Sequence, residues 1–151
     1  MRKYTLIVLV FAFLTACNKN DDTVDYTEKN NNDIIAYIDK NNLDAQKSGS
    51  GLYYIIDEPG SGAQPVTSSN VTVAYKGYFL DGKTFDQSGA NGISFGLQQV
   101  IKGWTEGITY FKEGGKGKLL IPSHLGYGSK ARQGIPAGSV LIFDIHLISV
   151  N

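Results

Sequence analysis

The sequence predicts an α+β fold, with antiparallel strands laid against one short helix, and three observations carry that prediction. All 18 glycines lie at position 49 or later, a density that calls for many tight turns between short elements. The same half holds segments of alternating β-branched and aromatic residues, clearest in Val71-Thr72-Val73-Ala74-Tyr75-Lys76-Gly77-Tyr78. Within it one stretch has helical spacing, with Trp104, Ile108 and Phe111 at i, i+4 and i+7 on one face. Strands with a single helix on one face form a two-layer α+β architecture.

The chain opens differently. Met1-Arg2-Lys3 is a basic start, and Tyr4–Leu14 is an almost unbroken apolar run. That run is shorter than the ~20 residues that span a bilayer comfortably, so residues 1–16 are expected to be an export signal. It ends in Leu14-Thr15-Ala16-Cys17, which resembles the lipobox of bacterial lipoproteins, and the resemblance implies that Cys17 is acylated and becomes the first residue. As the chain's lone cysteine, Cys17 cannot form an internal disulfide, and acylation would consume its thiol. Loss of Arg2 and Lys3 leaves a slight acidic excess, so the expected membrane anchor is lipid rather than a basic patch. Residues 17–23 read as a polar tether and 24–48 as a helical spacer. In that spacer Ile34, Ile35 and Ile38 form an apolar stripe, Asn32 or Asp33 is a candidate cap, and Asn41-Asn42 a stop. Asn30-Asn31-Asn32 is poor helix material, which leaves open a break into two short pieces. The stripe is expected either to dock on the main domain or to pair with a second copy in a dimer.

The main domain covers 49–151. Gly51–Glu58 reads as its first strand and Val71–Tyr78 as the next, with Val71, Val73 and Tyr75 on one face. Asp81-Gly82 predicts a type I′ hairpin turn. The helix starts near Ile101 and is expected to run to Gly114-Gly115; Lys118–Ile121 and Val140–Val150 supply further strands.

Composition and motifs narrow the chemistry. Fourteen basic against 14 acidic residues give no footprint for nucleic acid. With His124 and His146 as the only histidines and one cysteine, a zinc site has too few ligands, and no nucleophile-and-base arrangement suggests itself. No phosphate-binding glycine motif opens a helix. Aromatic and aliphatic residues at strand ends and on the helix face instead favour an apolar pocket.

Five blocks occur in order: Val73-x-Tyr75-x-Gly77-x-Phe79-x-Asp81-Gly82-x-x-Phe85-Asp86; Phe95-x-Leu97-x-x-Val100-Ile101-x-Gly103-Trp104-x-Glu106-Gly107; Ile121-Pro122-x-x-Leu125-Gly126-Tyr127-Gly128; Gly134-Ile135-Pro136; and Leu141-x-Phe143-Asp144-Ile145-x-Leu147. Together they resemble the FKBP-type peptidyl-prolyl cis-trans isomerases across roughly Gly51 to Val150. The resemblance implies an FKBP-like sheet wrapped around one short helix, and a pocket walled by Tyr75, Phe85, Phe95, Val100, Ile101, Trp104, Tyr127 and Phe143, with the Trp104 indole as its floor. It also implies a buried carboxylate at Asp86, a donor hydroxyl at Tyr127 and a second donor at the Ile135 backbone N–H. Phe85, Asp86, Trp104 and Tyr127 are thereby the candidate catalytic residues, with no cofactor or metal. The implied clients are proline-containing polypeptides of the cell envelope, reached from a lipid anchor on the outer membrane, and macrolides are implied inhibitors. Gln99, Gly126, the short loop Gln87–Gly92 and the basic flap Lys130-Ala131-Arg132-Gln133 depart from the family pattern, with consequences for substrate preference and macrolide affinity. Two alternatives keep the fold: a proline-binding scaffold in an envelope assembly such as a motility or secretion apparatus, and a structural lipoprotein whose pocket is only core.

Overall fold

A computed structural model describes residues 24–151; the expected signal 1–16, the expected acylation site Cys17 and the expected tether 17–23 lie outside the described residues. In chain order the elements are α1 (Thr27–Lys40), β1 (Gln46–Lys47), β2 (Tyr53–Glu58), β3 (Asn70–Tyr78), β4 (Thr84–Gln87), β5 (Ile93–Gly96), α2 (Lys102–Gly107), β6 (Lys116–Ile121) and β7 (Leu141–Val150). They build an antiparallel sheet of order β1-β2-β6-β7-β3-β4. Strand β5 shares an edge of β3 with β4, taking Asn70–Val73 while β4 takes Lys76–Tyr78.

Alternation along the strands sorts side chains onto two faces. Leu119, Ile121, Leu141, Phe143, Ile145, Val71 and Val73 point to the α2 side, where Trp104, Ile108 and Phe111 meet them. On the other face Tyr53, Ile55, Leu120 and Ile142 pack beneath Ile34 of α1, which is fully buried. Each sheet face therefore carries a helix. The stripe expected to dock or to find a second copy lies on the chain's own sheet, and β1 joins residues 46–47 to the same sheet.

Several local expectations are corrected. Helix α1 is continuous through the asparagines, because Asn30 is buried and bonded on both sides of its amide rather than competing for the helix backbone. Its buried line is Asn30, Ile34 and, partly, Tyr37 and Ile38, whereas Ile35 is exposed, being a quarter-turn off that line. Neither Asn32 nor Asp33 caps it; the Thr27 N–H is held by Asp25 Oδ1 at 2.9 Å. At its far end Asn41 bonds Tyr37 O through Nδ2, and Asn42 takes φ 49°, as the stop signal required.

The second helix is shorter than its periodicity suggested. After Gly107 it tightens into a 3₁₀ turn, Ile108–Tyr110, and Phe111 is extended at φ −93°, ψ 157°. Leaving the helix lets the Phe111 ring reach the sheet beside Gly117, so all three predicted residues are still buried. The Asp81-Gly82 turn is not type I′, since Gly82 has φ +85° but Asp81 does not have positive φ. Gly82 N–H bonds Phe79 O and Phe79 N–H bonds Lys83 O, the pattern of a three-residue loop ending in a left-handed glycine, with Asp81 Oδ1 accepting from Lys83 N–H.

Candidate active site

The floor of the site is Trp104, carried on α2 and 5% exposed. Two glycines set its height: a Cβ on Gly103 would stand 2.5 Å from Ile121 Cγ2, and one on Gly107 2.7 Å from the Leu119 methyls. Bare backbone at both positions lets α2 sit low on β6. Around the indole stand Tyr75 from β3, edge-on at 5.0 Å, Phe143 from β7, edge-on at 5.1 Å, and Phe95 from β5, tilted at 5.4 Å. Phe85 from β4 closes the ring of walls, edge-on to Phe143 at 5.5 Å. Edge-to-face contacts of this kind each add about 0.5–1.5 kcal/mol beyond burial, so the walls brace one another. Gly77, two residues on from Tyr75 and paired with Phe143, leaves room for the Phe85 and Phe143 rings to lie over its Cα. The result is a cavity of about 540 Å³, whose rim adds Ile93, Gln99, Val100, Ile101, Gly126, Tyr127 and Arg132. That volume lies in the range of small-molecule and peptide side-chain sites.

Polar groups are few. Tyr75 donates its hydroxyl to Asp86 Oδ2 at 2.7 Å, and burial together with this carboxylate pushes the phenol up to about 12. Asp86 itself is exposed rather than buried, because β4 ends at the sheet edge with no element covering it; its task is to hold the Tyr75 ring upright. The Ile135 N–H is not free to hold a substrate. It bonds Arg132 O while Arg132 N–H bonds Ile135 O, closing a tight turn with Gly134 at φ +79°. The Ile135 side chain is buried beside a neighbouring hollow that also touches Phe85, Asp86 and Tyr127. Tyr127 is 39% exposed at the rim, open to a bound chain.

A protein-family model described as FKBP-type peptidyl-prolyl cis-trans isomerase matches residues 62–148, which holds every wall of this cup. The chain belongs to that family. Among curated relatives, the FKBP-type isomerase FkpA of Buchnera aphidicola (subspecies Schizaphis graminum) is 50% identical over 108 residues, covering 70% of this chain and 43% of the relative. FkpA of Escherichia coli is 49% identical over 106 residues, 69% of this chain and 39% of the relative. The chain thus spans about two-fifths of the length of these relatives. The crystal structure of Escherichia coli FkpA superposes with a TM-score of 0.71 at 42% identity, covering 83% of this chain and 62% of that one. A peptidyl-prolyl cis-trans isomerase from Pseudomonas syringae gives 0.71 at 31% identity, covering 83% and 96%.

In this FKBP-type domain nine of the ten residues expected at the pocket line one cavity: Tyr75, Phe85, Asp86, Phe95, Val100, Ile101, Trp104, Tyr127 and Phe143. Ile135 alone stands outside it. Gln99, Gly126 and Arg132, marked in the sequence only as departures from the family pattern, also line the cavity, and Ile93 and Gly77 contribute without having been anticipated as site residues. Ile93 is 47% exposed at the mouth, and its signal was an isoleucine in a short strand otherwise flanked by glycine and serine. Gly77 interrupts the inward series Val71, Val73, Tyr75 where a fourth side chain was due, and that gap makes space for two rings.

Proposed function

We propose that this domain accelerates cis–trans rotation of X–Pro bonds in exported polypeptides, with the proline ring seated on Trp104 among Tyr75, Phe85, Phe95 and Phe143. The observation that carries the reading is the braced aromatic cup with the Tyr127 hydroxyl exposed at its rim, in a family whose members bear that activity in their name. An X–Pro bond crosses a barrier of about 18–20 kcal/mol and takes tens to hundreds of seconds unaided. The twisted transition state has lost amide resonance, so its carbonyl is less polar and leans less on water than the planar ground state. A dry cup favours the twisted state, and Tyr127 at the rim is placed to donate to a carbonyl of the flanking chain. Each ~1.4 kcal/mol gained only in the transition state is tenfold in rate, so ~4–6 kcal/mol brings the event to milliseconds. No proton transfer or covalent step is required, which suits a cup whose one carboxylate is occupied with Tyr75.

Protease-free exchange spectroscopy on a Leu-Pro or Phe-Pro peptide tests this. Acceleration by the domain, weakened about tenfold or more in Phe85→Ala with the fold retained, is expected; no acceleration by the unaltered chain overturns it, and binding without acceleration would leave a proline-docking scaffold. We further propose, from Leu14-Thr15-Ala16-Cys17, that Cys17 carries the lipid that holds the protein at the bacterial envelope. Cys17→Ser is expected to move the protein from the membrane to the soluble fraction, and unchanged membrane retention refutes acylation as the anchor.

A further inference from the structure

We propose that Asn30, on the N-terminal helix and outside the family-matched region, is a positioning residue for the isomerase site: its side-chain amide closes a ring of hydrogen bonds that pins both ends of the rim segment Ser123–Gly138. The inference rests on the isomerase reading for its kinetic consequence and on geometry alone for its structural one.

The ring can be followed bond by bond. Ser123 N–H donates to Asn30 Oδ1 at 2.8 Å, and Asn30 Nδ2 donates to Gly138 O at 2.9 Å. Gly138 N–H donates to Gly128 O at 3.0 Å, and Gly128 N–H donates to Ser123 O at 2.7 Å, which returns to the start. Each of the three residues gives one bond through its N–H and takes one at its carbonyl. The Asn30 amide does the same and stands in for a fourth.

This arrangement divides the rim into two loops tied at common knots. The loop between Ser123 and Gly128 carries Tyr127; the loop between Gly128 and Gly138 is the flap with Arg132 and Ile135. Beyond the 3₁₀ turn Ser123–Leu125 and the tight turn Arg132–Ile135 the loops have no regular structure of their own, so how their ends are held bears on where their side chains stand. Asn30 is 1% exposed, and an asparagine is costly to bury unless both halves of its amide are satisfied, as here. A second contact reinforces the knot: Gly138, at φ +67°, lies flat on the Tyr26 ring, close enough that a Cβ would fall 2.3 Å from Tyr26 Cδ1. The helix is separately held by buried Ile34 and by Tyr53 Oη donating to Asn31 Oδ1 at 2.9 Å, so it can stay docked when Asn30 is changed.

The test compares Asn30→Ala and Asn30→Asp with Ile142→Val, which thins the packing under the same helix without touching the ring. In the full chain, Asn30→Ala is expected to speed amide hydrogen exchange at Ser123, Gly128 and Gly138 at least tenfold. It should also lower kcat/KM about threefold to tenfold at temperatures well below melting, chiefly through KM, because a loosened rim is competent for only part of the time. Asn30→Asp keeps the acceptor for Ser123 but sets a carboxylate oxygen against Gly138 O, so Ser123 N–H should stay protected while the repelled Gly138 end moves away and strains the bond from its own N–H to Gly128 O, which then loses protection. Ile142→Val should lower Tm with kcat/KM unchanged. If Asn30→Ala lowers Tm as Ile142→Val does and leaves both kcat/KM and rim exchange at the unaltered values, the proposal is overturned. Should Asn30→Ala not fold, the Asn30→Asp exchange pattern decides alone, equal protection at the two ends overturning the ring. Should the unaltered chain show no isomerase activity, the functional reading fails while the exchange measurements still judge the ring.

Discussion

Gly77→Ala places one methyl group where the pocket has no room for it. The new Cβ would stand 2.7 Å from Phe143 Cε1 and 2.8 Å from Phe85 Cζ. Ordinary carbon contact begins near 3.5 Å, so the methyl must gain roughly 0.7–0.8 Å from both rings. Phe143 has nowhere to go: it is 4% exposed, with Trp104 and Tyr75 edge-on to it. Phe85 is half-buried on the edge strand β4 and faces the Phe79 ring at 4.9 Å, so the backbone at residue 77 shifts off Phe143 and Phe85 is the wall that yields to it. Overpacking of this kind costs about 1–3 kcal/mol, and the backbone at Gly77 adds no penalty because its φ is not positive. A loss of ~1 kcal/mol corresponds to about 2–8 °C in Tm for domains bracketing this size. Displacing Phe85 opens the cup to water, and a loss of about 1.4 kcal/mol of transition-state preference is tenfold in kcat/KM. The assay is NMR exchange on a Leu-Pro peptide well below Tm, beside a thermal melt. A variant with lowered Tm and full kcat/KM would show that Phe85 is not a working wall, and the reasoning from Gly77 to the cup would fail.

Other expectations follow from the same geometry. Tyr75 should titrate near 12 rather than at the ordinary 10.0, and Asp86→Asn should lower it, read by tyrosinate absorbance or ring NMR shifts. The raised phenol makes a stability contribution that is present below about pH 10 and is lost as pH rises towards 12, because the unfolded chain ionises first. Ile34→Ala should cost about 2–5 kcal/mol in denaturant unfolding, the range for a fully buried isoleucine; a cost under ~1 kcal/mol would mean that α1 is a loose appendage.

Legibility differed from element to element for physical reasons. Strand β3 alternates, so Val71 and Val73 could be placed from pattern alone, whereas β7 opens with three residues buried on both faces and Phe143 came only from the family resemblance. The five ordered blocks carried the cup itself, since its walls sit at strand ends where spacing is set by strand length. Strands β4 and β5 were not foreseen, being four residues each and mostly exposed, with too little alternation to read. Helical spacing overran α2 because Ile108 and Phe111 keep their burial after the backbone leaves the helix. The exposure of Asp86 and the engaged N–H of Ile135 are set by what covers an edge and how a turn closes, and neither is written in residue spacing. The asparagines of α1 looked like weak helix because propensity is a local quantity, whereas the worth of Asn30 lies in partners 93 and 108 positions away.

The docking of Tyr26 on Gly138 also sets a reach. Helix α1 begins beside the base of the flap, so the chain leaves the domain close to the rim of the cup. Between an acylated Cys17 and the first described residue, Val24, there are seven steps, and extended chain covers at most about 3.3–3.6 Å per residue, or roughly 25 Å in all. A lipid-held isomerase built this way would work only in the thin layer next to its membrane. Its clients would then be chosen by where their prolines emerge as much as by the residues beside them.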